Sequence, residues 1–168
     1  DKAFPNKLFV FLYNGLFFLL IGLLISPNVQ TQNVQKLDSL ELELELTRDV
    51  KNKVQILIHL ADKYLNNDPD RALGYSQNAY ELSEKDDYKE GLALAMQRMA
   101  EIYWGKSEYK TSIEYAIKTQ DLAKKINLVS GLAESQLILG KIYKNLGDYE
   151  KSSDYFFTSL KLGEEGDY

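Results

Sequence analysis

Hydrophobic positions along this chain change their period twice. From Leu8 to Ile25 there are 18 residues without a charge, preceded by Lys2 and Lys7. At about 1.5 Å per residue such a run makes roughly 27 Å of helix, close to the hydrocarbon thickness of a bilayer. From Leu37 to Val50 leucine and glutamate alternate, which suggests a strand. Both are good helix formers, however, and no β-branched residue sits in the alternation. Leu37, Leu40 and Leu44 also share one helical face, so a helix is predicted. From there on apolar positions recur at helical spacing. Six helices are expected, near 50–65, 69–85, 88–104, 108–126, 129–145 and 149–164.

These six helices form three copies of one unit. Gly91-Leu92-Ala93 recurs 40 residues later as Gly131-Leu132-Ala133, and Tyr103 and Tyr109 recur as Tyr143 and Tyr149. A first copy aligns Ala61, Ala100 and Gly140, and likewise Tyr64, Tyr103 and Tyr143. Each copy reads as two helices around a tight turn. Asp68 before Pro69 is an N-cap with proline at the first helical position, and Ser107 and Asp148 hold the same place in the other copies. Asp87 with Glu90 has the spacing of a capping box, and Asn127 is placed to cap the helix from 129. Ala72, Ser112 and Ser152 are the small residues expected opposite Ala61, Ala100 and Gly140. Ala79, Thr119 and Ser159 are expected where neighbouring copies meet. The tyrosines fill the wedge beside the turn and keep their hydroxyls near water. One hairpin cannot bury its apolar face alone, so stacked copies make a solenoid. The fold class is therefore all-α: helix-turn-helix repeats of about 40 residues, with repeats at 50–87, 88–127 and 128–168.

A small residue, a tyrosine three positions later, a turn, and small residues on the second helix resemble the tetratricopeptide repeat. The resemblance covers 49–168 and departs from the family in lacking the closing proline. Its longer connector resembles arrays of bacterial signalling proteins. That resemblance implies an exported N-terminus, an array that binds a protein or peptide segment, and further repeats and an output domain in cis such as a histidine kinase. Residues 1–32 would be a signal peptide or an uncleaved signal anchor, and 33–48 a leading helix or linker. The chain is then periplasmic or membrane-anchored facing the periplasm. The remaining alternatives are a free-standing periplasmic scaffold and the non-catalytic region of a larger enzyme. Tyr88 maps on Tyr168 at a shift of 80, so the chain is expected to stop within a connector. Tyr155, Phe156 and Leu160 would then lack a covering repeat.

Composition narrows the chemistry. Hydrophobic residues make up 45% and charged residues 27%, as in a globular chain. A net charge of −5 argues against nucleic acid, which needs a basic face to neutralise phosphates. Without cysteine there is no disulfide, thiolate metal site or cysteine nucleophile. His59 is the single histidine and has no catalytic partner in its motif; no cofactor or metal is expected, and the chain is not read as an enzyme. Glu41, Glu43 and Glu45 read as a solvated face. Function should reside on the inner face of the array, which the first helices line. Helical phase assigns to it Gln55, Ile58 and Asp62, then Leu94, Gln97, Glu101 and Trp104, then Glu134, Leu137, Lys141 and Lys144. Ile58 and Asp62 stand where a carboxylate clamp of the family would need lysine and asparagine, which disfavours that function. Trp104 is the candidate aromatic anchor.

Overall fold

The computed structural model describes residues 39–166, and every regular element among them is helical. A short helix at 39–46 leads into α1 (Val50–Tyr64), α2 (Pro69–Lys85), α3 (Lys89–Gly105), α4 (Tyr109–Ile126), α5 (Val129–Asn145) and α6 (Tyr149–Glu165). The leucine–glutamate alternation is thus helical where it is described. The apolar run at 8–25 lies outside the described residues. Among the described residues no helix is long and apolar enough to cross a membrane.

The helices pair as α1/α2, α3/α4 and α5/α6, and each pair stacks on the next. First helices also touch one another, α1 with α3 and α3 with α5, whereas second helices do not. A stack whose first helices stand closer together must curve towards them. The first helices therefore line the inner face of a solenoid.

Small residues let the two helices of a repeat approach closely, and the same polar contact recurs. Ser112 Oγ donates to the Ala100 carbonyl at 2.6 Å, and Ser152 Oγ donates to the Gly140 carbonyl at 2.9 Å. Gly140 faces the Phe156 ring so closely that a Cβ there would stand 2.6 Å from it. Beside each turn two tyrosines stack: Tyr64 on Tyr75, Tyr103 on Tyr115 and Tyr143 on Tyr155, with centroids 5.4–5.7 Å apart. Tyr155 and Phe156 are half-buried against their own repeat, Tyr155 on Tyr143 and Phe156 against Gly140. Leu160, 61% exposed, is open among the described residues. Neighbouring repeats meet where Ser83 approaches Gly91 and Ala123 approaches Gly131. Ser159 instead donates to the Ala133 carbonyl of its own repeat.

The turns correct three of the cap assignments. Asp68 and Asp148 accept from the Arg71 and Lys151 amides, as N-caps do. Asp87, Ser107 and Asn127 do not cap the helix that follows. They adopt left-handed backbone, φ 54°, 61° and 57°, as Gly147 does at 81°. Each closes the preceding helix. The next amide in each case, from Tyr88, Glu108, Leu128 and Asp148, bonds back to a carbonyl five residues earlier, the Schellman arrangement. Two consecutive helices thus share one tight corner, and the N-cap falls one residue later than the polar residue that marks it.

Candidate functional site

The inner face is built from three parallel first helices, so residues spaced three or four apart on each come into line. Asp62 on α1, Arg98 and Glu101 on α3, and Lys141 on α5 form a ladder of alternating charge. Arg98 Nε lies 2.5 Å from Asp62 Oδ1, an ion pair rather than an aligned hydrogen bond. Arg98 Nη1 donates to Glu101 Oε2 at 3.1 Å. Lys141 Nζ stands 3.5 Å from Glu101 Oε1 and 4.9 Å from the centre of the Trp104 ring. Arg98, Glu101 and Lys141 are largely covered; Asp62 is the most open, its side chain 38% exposed. Burial nevertheless raises its carboxyl above the ordinary 3.8, outweighing Arg98, which lowers it; Glu101 adds to the rise.

Two hollows flank this ladder. One, of about 450 Å³, lies between the helix at 39–46 and the α1/α3 face. Leu40, Ile58 and Leu94 give it apolar walls, with Gln55, His59, Asp62, Arg98 and Glu43 around them. The other, of about 270 Å³, lies at the turn of the first two repeats, between Leu65, Pro69, Ile102, Trp104 and Lys106. Trp104 also packs on the core cluster of Ile138, Leu139 and Ile142. Its Nε1 is buried, and among the described residues no acceptor meets it.

Beside the packing of Leu40 and Leu44, a polar contact pins the helix at 39–46. Glu41 Oε1 accepts from Arg71 Nη2 at 2.6 Å, from Tyr75 at 2.9 Å and from Tyr64 at 3.3 Å. The Arg71 guanidinium lies 4.2 Å over the Tyr64 ring. Glu41 is therefore a partner of the first tyrosine pair rather than one more solvated carboxylate.

The fold resembles that of RapI. Its apo form aligns with this chain at a TM-score of 0.66 over 83% of the chain, with 17% identity. The chain spans 40% of the length of RapI. No family model matches the sequence, and neither does any curated protein. At this identity the likeness to RapI establishes the fold alone, an all-helical repeat solenoid.

On that solenoid, Gln55, Ile58, Asp62 and Leu94 share the larger hollow, and Asp62, Glu101, Trp104 and Lys141 share the ladder. Gln97 is 5% exposed and so is buried within the array rather than open on the inner face where helical phase placed it. Ile58 is 6% exposed and belongs as much to the core as to the hollow. Leu137 is half-buried, and Glu134 and Lys144 are exposed on α5. Sequence reasoning missed Arg98, which joins two repeats. The signal was present: Arg98 falls four residues after Leu94 and three before Glu101, on the face already assigned. His59 lines the larger hollow. Among the described residues no group of three or more His, Asp or Glu could hold a metal ion.

Proposed function

We propose that this chain is a non-catalytic, tetratricopeptide-like interaction module that holds a protein or peptide segment along its inner face. The observation that carries the reading is the ladder from Asp62 to Lys141, continued onto Trp104, which presents mixed charge and an aromatic ring across all three repeats. A groove with an aromatic ring set among paired charges suits recognition more than chemistry. We further propose that residues 8–25 export or anchor the chain, so that the array faces the periplasm, and that it serves as the sensory part of a bacterial signalling protein such as a sensor histidine kinase. That proposal rests on the apolar run with Lys2 and Lys7 before it and on the repeat pattern.

The test begins with selection of binding peptides from a random library against the 168-residue chain, held in a non-ionic detergent. Peptides seated in the groove should lose more than about 2 kcal/mol of affinity to Trp104→Ala, with helicity preserved. Binders indifferent to Trp104→Ala and to Glu101→Gln would refute a groove function. For export, a reporter active only outside the cytoplasm should work when fused after Gln35 and fail once 8–25 is deleted. Equal activity of the two fusions would remove that part of the reading.

A further inference from the structure

The larger hollow has a charge balance that names what would enter it. Its carboxylates, the exposed Glu43 and Asp62, stand with one guanidinium and the His59 imidazole, and Arg98 is already divided between Asp62 and Glu101. Among the described residues no cation pairs with Glu43. Asp62 keeps a raised carboxyl despite its ion pair, because burial withholds the water that would stabilise its charge. A further cation placed in the hollow, added to Arg98 and Lys63, would supply what the water does not.

Shape points the same way. A hollow of about 450 Å³ is large for one water and falls in the range of roughly 300–1,000 Å³ where small ligands and side chains are held. Leu40, Ile58 and Leu94 offer apolar surface to a methylene stem, while the carboxylates sit around it. Long cationic side chains bury in this way, stem on the apolar wall and head at the charge. The planar fork of a guanidinium also meets carboxylates in two-point contact, which an ammonium does not.

Resting on the reading of this face as a peptide groove, we propose that the hollow receives an arginine side chain of the bound segment, flanked by aliphatic residues. The guanidinium lies towards Glu43 and Asp62, and the methylenes pack on Ile58 and Leu94. The site thus fixes the register of the segment, and Trp104, further along the same face, takes its apolar remainder.

The probe is a fluorescein-labelled, amidated pentapeptide, Gly-Leu-Arg-Leu-Gly, with two versions carrying citrulline or glutamate at the centre. Each is titrated by anisotropy against the 168-residue chain in non-ionic detergent at low salt. The arginine peptide should bind about tenfold more tightly than the citrulline peptide, the scale of one charged contact. In the Glu43→Gln/Asp62→Asn chain the two should bind alike. Glu43→Gln alone should lose part of the preference, which keeps the test open if the double variant does not fold by circular dichroism. Equal binding of arginine and citrulline by the unaltered chain would overturn the inference; if Trp104→Ala still weakened both, the groove reading would stand without it. Preference for glutamate would overturn it too, and would assign the hollow to Arg98. So would the absence of binding by the arginine peptide at millimolar concentration.

Discussion

Replacing Arg98 by methionine tests whether charge, and not packing, joins the first two repeats across the inner face. Methionine keeps most of the aliphatic stem, so the guanidinium is the main loss. That group lies 2.5 Å from Asp62 and 3.1 Å from Glu101, with its side chain 22% exposed. Hydrogen bonds to charged groups contribute about 1.5–3 kcal/mol when covered, and exposed ion pairs about 0–1. Asp62, at 38% exposed, belongs near the lower limit, and Lys141 continues to serve Glu101. A loss of about 1.5 kcal/mol at neutral pH follows from placing the pair between those limits. The pH dependence has a definite sign. Removing Arg98 removes the largest influence lowering the carboxyl of Asp62, which burial already raises above 3.8. An acid with a raised folded pKa keeps its proton in the fold when the unfolded chain has released it. Stability then falls as pH rises from 3.8 through the raised value, and levels off above it. The penalty of Arg98→Met should therefore open across that window and shrink to under about half below it. Urea unfolding of the 168-residue chain, followed by far-ultraviolet circular dichroism at acid and neutral pH, measures both. An equal loss at the two pH values would refute the argument and assign the effect to packing.

Other positions give sharper yes-or-no outcomes. Ser107, at φ 61°, holds a left-handed corner that glycine adopts freely, so Ser107→Gly should stabilise by roughly 0.5–1 kcal/mol in thermal melts, whereas Gly147→Ala, at φ 81°, should destabilise by about 1. If Ser107→Gly is destabilising, the corner is not the strained element described. Ser112→Ala removes a buried 2.6 Å bond to the Ala100 carbonyl and should cost about 1 kcal/mol; no change would mean that the bond contributes nothing net. Glu41→Gln weakens the grip of Arg71, Tyr64 and Tyr75 on the helix at 39–46, and amide exchange should accelerate there before it does in α1. Unchanged exchange would show that Leu40 and Leu44 hold that helix without the carboxylate.

Much of this fold is legible in the chain because each repeat states the same local facts. Small residues at 61, 100 and 140 set how close two helices come, and a period of about 40 requires that the solution for one hairpin serve all three. Helix positions followed from apolar spacing, since burial of one face is decided within a few turns. The inner-face residues Asp62, Glu101 and Lys141 were also readable, because helical phase is local. What phase could not decide is what happens between repeats. Gln97 lies on the same helix as Glu101 yet is covered, and its own helix does not decide that. The pairing of Asp62 with Arg98 joins residues 36 positions apart, and no pattern within either helix fixes the distance. The polar residues at the corners show the same division. Asp87, Ser107 and Asn127 announce a turn, but whether such a residue caps the next helix or closes the last depends on its backbone angle. That angle is imposed by two helices packing at a shared corner. Glu41 is the plainest case: in the sequence it is one of three alternating glutamates, and only the docking of its helix against Tyr64, Arg71 and Tyr75 makes it different.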